Sequence, residues 1–243
     1  MIIFTDGSTI NNGKKNAVGG IGIYIPKQGD IEEWSLSYSL VPMQEGSTIR
    51  GGASASASAS AREDGNLQSS WRIGVTNQVS ELIAIILAIE KGIKLTKDTK
   101  DTIYIYTDSK YSIECATTWS KSWIKNNWKK ANGKQVENLW LIYRLVQLTM
   151  KYPVIFKHVR AHTEEPSNRN NEEYILWLGN DKADKLAQTA SSNVVNLNPQ
   201  TKILKWHTLA SLLICGMKND IKCDIPFIDD LKIFYEKMFN INT

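Results

Sequence analysis

The chain has 243 residues, of which 42% are hydrophobic, and it carries a formal net charge of +4 and a pI near 8.8. This length predicts one sizeable core with a small appendage, and the mild positive charge permits nucleic-acid binding without indicating it. The three cysteines form no Cys-x-x-Cys pair, which argues against a disulfide framework or a zinc site, and no apolar run reaches the roughly 18 residues of a transmembrane helix.

The first part of the chain predicts three strands, at residues 1–5, 19–25 and 33–40. Because a strand starts at the first residue, we expect no signal peptide and predict an intracellular protein, in the cytoplasm or the nucleus, with no membrane association. Residues 44–72 contain an alternating run of Ala and Ser. Such low-complexity composition predicts a flexible insertion that acts as an inert spacer.

The next elements alternate between helices and strands. We predict helices at 77–95, 109–118, 120–127, 135–150 and 180–191, and strands at 102–107 and 154–158. Three consecutive strands followed by this alternation predict an α/β fold with a mixed five-stranded sheet flanked by helices.

Two further segments stand apart from these regular elements. Residues 163–171 are polar and predict a mobile loop, and the apolar residues 174–178 are expected to pack the return of that loop onto the body. Residues 192–243 predict a small helical extension of unknown role, with helices at 204–214 and 228–239. The predicted domains are therefore 1–191 and 192–243.

Four acids occupy positions that do not suit idle surface charge: Asp6, Glu81, Asp108 and Asp184. Asp6 and Asp108 each end an apolar run that reads as a buried strand, and ligand sites of α/β sheets gather at such strand ends. Glu81 lies in a helix that is apolar on nearly every face, where an unpaired carboxylate is unfavourable. Acids clustered with few nearby bases indicate hard metal ions, above all Mg²⁺.

The residues around these acids carry a family resemblance. Five motifs occur in order: Thr5-Asp6-Gly7-Ser8, Thr76-Asn77-Gln78 leading to Glu81-Leu82, Thr107-Asp108-Ser109-Lys110-Tyr111, Val159-Arg160-Ala161-His162, and Gly179-Asn180-Asp181-Lys182-Ala183-Asp184-Lys185-Leu186-Ala187. Over roughly residues 1–190 the chain resembles type 1 ribonuclease H. The resemblance implies the ribonuclease H fold and an endoribonuclease that hydrolyses the RNA strand of RNA–DNA hybrids, leaving 5′-phosphate and 3′-hydroxyl ends.

The resemblance also implies the catalytic metal ligands. Hydrolysis must activate a water and stabilise charge on the leaving 3′ oxygen, and two metal ions about 4 Å apart do both. Asp6, Glu81, Asp108 and Asp184 match the family's metal-binding acids, for two Mg²⁺ ions with Mn²⁺ as a substitute. Asp181 is the competing choice for the fourth acid, but the motif context aligns Asp184.

Three groups of residues are implied to serve the substrate. His162 matches a mobile histidine near the scissile phosphate, suited to proton transfer or product departure, whereas His158 and His207 are expected to be structural or surface residues. Asn77 and Gln78 match residues that face the RNA strand, and Asn16 and Thr76 match a pocket for a phosphate of the DNA strand. For Thr76, a helix N-cap is an alternative or an additional role.

A basic and aromatic stripe precedes the helix predicted at 135–150. It consists of Trp119, Lys121, Trp123, Lys125, Trp128, Lys129 and Lys130. The stripe resembles the basic handle with which some family members grip the DNA strand, with lysines on phosphates and tryptophans on sugars. The alternative is a set of core tryptophans beneath solvated lysines.

The chain departs from the family in two places, and alternative functions stay open. The insertion at 44–72 replaces a much shorter loop, and the spacing from His162 to Asp184 is about twice the usual one. One alternative is another nuclease of the same fold, such as a junction resolvase or a polymerase-linked ribonuclease H domain. The other is a catalytically silent hybrid-binding module. The expected role is primer removal or the clearing of hybrids in DNA replication, and binding of a protein partner is one candidate role for 192–243.

Overall fold

A computed structural model describes residues 1–41, 75–98, 100–195 and 203–204 of the chain. Its elements in chain order are β1 (Ile2–Ile10), β2 (Val18–Ile25), β3 (Trp34–Leu40), α1 (Asn77–Leu95), β4 (Ile103–Thr107), α2 (Lys110–Glu114), a π-helical turn (Cys115–Trp119), α3 (Ser120–Lys125), α4 (Leu139–Lys151), β5 (Val154–His158), α5 (Glu172–Val195) and β6 (Ile203–Leu204). The bounds of α1 and β5 are the predicted ones. Within the described ranges, no helix is both long enough and apolar enough to cross a membrane.

The strands form one mixed sheet in the order β5-β4-β1-β2-β3-β6. The pairs β1–β2 and β2–β3 are antiparallel, and the pairs β1–β4, β4–β5 and β3–β6 are parallel. The predicted five-stranded mixed sheet is confirmed, and the two-residue β6 adds a sixth strand beside β3. Leu204, predicted to begin a helix, lies in β6 instead. The predicted insertion at 44–72 lies outside the described residues. So does the chain after residue 204, which includes the helix predicted at 228–239.

Successive residues of the central strand face two different layers of the protein, because side chains alternate across a strand. Ile3 belongs to the larger core cluster, which includes the apolar residues of α1 and α4. Phe4 packs on the opposite face with Tyr24 and with Ala183 of α5. The sheet is thus covered by α1 and α4 on one face and by α5 on the other.

Helix α5 rests directly on the backbone of β2. A Cβ atom added at Gly20 or Gly22 would clash with the carbonyl oxygens of Ala187 and Ala183, respectively. The hydroxyl of Ser37 in β3 donates a 2.9 Å hydrogen bond to the carbonyl oxygen of Leu186. Small residues in the strands therefore determine how deeply α5 lies on the sheet.

Helix α5 begins eight residues earlier than the sequence predicted, at Glu172 instead of residue 180. Residues 174–178, predicted to pack the return of a loop, are helical. The side chain of Asn171 accepts a 2.8 Å hydrogen bond from the backbone N–H of Tyr174, which is the geometry of an N-cap. Gly179 resembles a break in the sequence, but it serves close packing, since a Cβ there would meet the ring of Phe4.

Candidate active site

Three carboxylates converge beside the carboxyl end of β4. Asp6 lies in β1, Glu81 in the second turn of α1, and Asp108 directly after β4. Each offers one oxygen, and these oxygens lie within 4.8 Å of one another. Asp6 and Glu81 are only 7% and 5% exposed, so their charges are largely removed from water. Buried acids this close repel one another unless a proton or a cation compensates them.

Asp6 does not end its strand, contrary to the prediction. Strand β1 continues to Ile10 in its antiparallel pairing with β2, where Asp6 lies opposite Gly22. The parallel neighbour β4 pairs with β1 only from Ile2 to Phe4, so Asp6 lies beyond the last residue of β1 that pairs with β4. Asp6 therefore meets Asp108 although only Asp108 stands at the end of a strand.

Gly7 allows α1 to approach the strand that carries Asp6. A Cβ atom on Gly7 would clash with the backbone of Glu81, including its amide nitrogen. The glycine thus brings the backbone of Glu81 against β1 and places its carboxylate next to Asp6. In the sequence, Gly7 is recognisable only as part of the motif around Asp6. The residues next to it do not indicate that it contacts residue 81.

The fourth acid joins the cluster from α5. Asp184 is close enough to Asp6 to form a side-chain hydrogen bond when one carboxyl is protonated. The amide of Gln188 donates a 2.6 Å hydrogen bond to Asp184 Oδ1, and His162 Nδ1 lies 3.7 Å from Asp184 Oδ2. Gln188 was not predicted from the sequence, although its position one helical turn after Asp184 is the available signal.

The acids hold protons more tightly than ordinary carboxyls. Burial, followed by repulsion from Asp108 and Asp184, raises the pKa of Asp6 to about 7. Burial and then the charge of Asp6 raise the pKa of Glu81 well above its usual value. Burial and then Asp184 also raise the pKa of Asp108. Repulsion among these acids favours either a bound proton or a bound cation.

The four acids line one open pocket together with other predicted residues. Its lining comprises Asp6, Gly7, Ser8, Thr9, Asn77, Gln78, Glu81, Asp108, Ser109, Lys110, Tyr111, His162, Asp184 and Gln188. The structure therefore brings together the four predicted acids, His162, Asn77 and Gln78. Neither Asn16 nor Thr76 belongs to this lining. The pocket has a volume of about 470 Å³.

Comparison with known proteins assigns the chain to a family. The RNase H family model matches residues 1–192. The chain belongs to the RNase H family. It is 33% identical over 127 residues to "Ribonuclease H" of Rickettsia massiliae, covering 52% of this chain and 72% of that protein. It is 29% identical over 191 residues to "Ribonuclease H" of Schizosaccharomyces pombe, covering 79% of this chain and 53% of that protein.

These matches cover only part of each relative. This RNase H chain spans about half the length of the first relatives it matches, including the one from Schizosaccharomyces pombe. Among solved structures, the prototype foamy virus protease–reverse transcriptase superposes with a TM-score of 0.51 at 22% identity, covering 78% of this chain and 20% of that chain. That likeness establishes the shared fold.

The acids of this RNase H chain fit a metal site, in agreement with the metal dependence of the family. Glu81 Oε2 is buried and has no hydrogen-bond partner among the described residues. An unpartnered buried carboxylate oxygen is unfavourable, and a divalent cation with oxygen ligands is the group that satisfies it. Asp6, Glu81 and Asp108 supply such ligands around a common point, and Asp184 adds a fourth carboxylate at the same pocket.

Replacing Asp6 with Asn should stabilise the metal-free protein in a pH-dependent way. A carboxyl whose folded pKa is raised favours the folded state below its unfolded pKa and loses that advantage as pH rises through the folded value, here about 7. The gain in unfolding free energy from Asp6→Asn should be small at pH 4 and reach on the order of 4 kcal/mol by pH 8, since the pKa is raised from 3.8 to about 7 and one pKa unit is about 1.4 kcal/mol.

Denaturant titrations from pH 4 to 8 with a chelator present would measure this gain. Added Mg²⁺ should reduce the difference, because it stabilises the ionised wild-type cluster. Asp30→Asn is the matched control, because Asp30 is exposed and paired with Lys97. A difference between Asp6→Asn and wild type that stays constant with pH would contradict the raised pKa.

Thr76 caps α1, as one of its two predicted roles requires. Its side-chain oxygen accepts a hydrogen bond of 3.3 Å from the backbone N–H of Val79. Asn16 lies exposed in the turn between β1 and β2, and Asn12 of the same turn accepts a 3.2 Å hydrogen bond from the backbone N–H of Asn77. The hairpin turn is thus attached to the start of α1, and a phosphate contact by Asn16 and Thr76 stays a prediction.

The basic and aromatic stripe divides into exposed and buried members. The π-helical turn joins the two helices predicted at 109–118 and 120–127 into one continuous helical segment. On this segment Trp119 is 40% exposed, and its ring centroid lies 5.8 Å from that of Trp123. Trp128 is 9% exposed and packs edge-on against Tyr143, which is the core role given as the alternative. Its ring is therefore largely inaccessible to a nucleic acid.

The lysines of the stripe also differ from one another. Lys121, Lys125 and Lys129 are exposed. Lys130 is less exposed, and its ammonium group lies 2.9 Å from a carboxylate oxygen of Glu137. Phosphate binding stays a prediction for all four lysines.

Proposed function

We propose that this chain is an endoribonuclease that hydrolyses the RNA strand of RNA–DNA hybrids, with Mg²⁺ as its metal and 5′-phosphate and 3′-hydroxyl products. The observation that carries the proposal is the convergence of four carboxylates in an open pocket that also contains Asn77 and Gln78. Carboxylates alone would support hydrolysis of many phosphodiesters. The neighbouring amides add groups that donate to and accept from a 2′-hydroxyl.

Each side chain has a task that follows from its place. Asp6, Glu81 and Asp108 would hold the divalent ions, with Asp184 as the fourth ligand. When bound, two such ions supply charge stabilisation for the attacking water and the leaving 3′ oxygen. Gln188 holds one oxygen of Asp184 in place through its amide.

His162 stands at the rim of the pocket with a free path to solvent. Its side chain is 74% exposed, and Nδ1 lies 3.7 Å from Asp184. An imidazole in this place can accept a proton from the attacking water or deliver one to the leaving oxygen. Exposure also lets the proton exchange with solvent after each turnover.

A cleavage assay on matched substrates tests the proposal. End-labelled RNA–DNA hybrid, duplex RNA, duplex DNA and a four-way DNA junction are incubated with the protein in Mg²⁺, in Ca²⁺ and with a chelator. We expect cleavage of the RNA strand of the hybrid alone, in Mg²⁺, with products that a 3′-hydroxyl-dependent polymerase extends. Junction cleavage would favour a resolvase, and hybrid binding without cleavage would favour a silent binding module.

The cellular role that we propose is removal of RNA primers or clearing of hybrids during DNA replication inside the cell. This role requires cleavage within the RNA strand without damage to the paired DNA. Discrimination of that kind depends on 2′-hydroxyls, which only the RNA strand offers. The amides of Asn77 and Gln78 at the pocket are suited to detect them.

Replacing Lys121, Lys125 and Lys129 with Ala should weaken hybrid binding and flatten its salt dependence. Each lost phosphate contact should reduce the slope of log affinity against log salt by roughly 0.7–0.9, because fewer counterions are released on binding. Cleavage at saturating substrate should persist, since these lysines do not line the acid pocket. Titrations in Ca²⁺ across a range of salt concentrations would measure both slopes.

Lys130→Ala is the matched control for this experiment. Its ammonium group is already paired with Glu137, so the slope should change less than for the exposed lysines. Identical slopes and affinities for wild type and the triple variant would show that the stripe does not bind the hybrid and consists of solvated lysines over packed tryptophans.

A further inference from the structure

The loop that follows His162 is attached to the early part of α5. The indole N–H of Trp177 donates a 2.9 Å hydrogen bond to the carbonyl oxygen of Thr163, the residue next to His162. Trp177 lies in the helical segment before residue 180 that the sequence did not predict. A side chain carried by a helix therefore holds the backbone beside the imidazole.

A second attachment holds the far end of the same loop. Arg169 forms an ion pair with Glu165 at 2.7 Å, and its guanidinium group lies 5.8 Å from the ring centroid of Tyr174. The rings of Tyr174 and Trp177 are 5.7 Å apart, because residues three apart share a helix face. Both ends of the loop are thus attached to one aromatic pair on α5.

The position of His162 depends on its backbone more than on packing. Its side chain is 74% exposed, so few neighbours restrain the ring directly. Its φ of 50° lies in the left-handed region, which non-glycine residues rarely adopt. Such a conformation persists where the surrounding structure holds it, and the Thr163 carbonyl is the adjacent point of restraint.

We propose that Trp177 is a positioning residue that acts through Thr163 to keep His162 facing Asp184 during hydrolysis; this inference rests on the proposed ribonuclease activity. Among the described residues, the pocket lining includes His162 and does not include Trp177. Loss of the indole hydrogen bond therefore affects turnover and leaves substrate binding largely intact. The polar loop after His162 is thus restrained by the hydrogen bond from Trp177 to Thr163.

Trp177→Phe tests this role, since it keeps an aromatic ring beside Tyr174 and removes the N–H donor together with one ring of the indole. We expect kcat on the hybrid to fall about two- to tenfold, the range for one ordinary hydrogen bond, with KM near that of wild type. In a His162→Ala background, Trp177→Phe should leave kcat nearly unchanged, because residues that act through one another are not additive. Trp34→Phe, in β3, is the matched control.

Two kinetic outcomes would overturn the proposal. The first is an equal fall in kcat in both backgrounds, which would show a general structural effect. The second is an unchanged or increased kcat for Trp177→Phe in the otherwise wild-type protein.

A measurement without substrate separates this proposal from the proposed function. NMR relaxation of ¹³C-labelled histidine rings, with the His162 signal assigned by His162→Ala, reports ring mobility in the metal-free protein. Trp177→Phe should increase the mobility of His162, and Trp34→Phe should not. If wild type cleaves no hybrid, the ribonuclease proposal fails, and unchanged ring mobility in Trp177→Phe separately refutes the positioning role.

Discussion

Asp108→Asn is expected to reduce hybrid cleavage by at least about 1000-fold, which corresponds to about 4 kcal/mol of lost transition-state stabilisation. Asp108 contributes one of the three carboxylates whose oxygens lie within 4.8 Å of one another. Asn has nearly the same shape, so the substitution removes charge and leaves the backbone after β4 in place. Single-turnover rates in Mg²⁺ would measure the loss, and hybrid affinity in Ca²⁺ should stay close to that of wild type.

Asp30→Asn is the matched control for this loss. Asp30 is an exposed acid in an ion pair with Lys97, and its substitution should leave the rate near that of wild type. A rate for Asp108→Asn within about tenfold of wild type, or 1.4 kcal/mol, would be incompatible with a metal-binding role for this cluster.

The second large effect is the contrast between two acids of α5. Asp184→Asn should lower the cleavage rate by about 100-fold or more, because it removes a carboxylate that faces Asp6 in the pocket, and 100-fold corresponds to about 2.7 kcal/mol. Asp181→Asn should change the rate by less than about fivefold, since an exposed ion pair is worth roughly 1 kcal/mol or less. Both rates can be measured on the same labelled hybrid.

The structure changes the reason for the small effect at Asp181. The helix predicted at 180–191 would place Asp181 in its first turn, and this was wrong. Helix α5 begins at Glu172, so Asp181 lies in its third turn, where it pairs with Lys185 at 2.7 Å. A larger loss for Asp181→Asn than for Asp184→Asn would show that the two acids exchange roles.

Helix α1 shows what could be predicted from local sequence. Thr76 supplies a cap, and apolar residues occupy nearly every face between Asn77 and Leu95, so both the bounds and the burial of the helix follow from neighbouring residues. The same pattern predicts an unfavourable site for Glu81, and the structure indeed buries this residue. Both inferences depend only on hydrogen bonding and side-chain periodicity within one segment.

Helix α5 shows where local sequence was insufficient. The signals for its start, Asn171 followed by Glu172 and Glu173, are present in the sequence. They are followed by Gly179, and a glycine in a helix usually weakens it. Only the ring of Phe4 explains this glycine, and Phe4 is 175 residues away along the chain.

Trp128 illustrates the same limit for a binding surface. Its alternation with lysines predicted a nucleic-acid contact, yet its ring packs against Tyr143 in the core. A tryptophan near lysines has the same local pattern whether its ring faces solvent or the interior. The deciding partner lies in α4, outside the local window.

The amino-acid sequence by itself predicted seven side chains that this protein brings to its site, namely four acids, a histidine and two amides, but it did not predict Gln188. Only the tertiary structure decided how close those groups lie. The approach of Glu81 to Asp6 depends on the missing Cβ of Gly7, and the depth of Asp184 depends on Gly22 beneath α5. Such distances arise from packing between distant segments, and they raise the pKa of Asp6 to about 7 by burying like charges together.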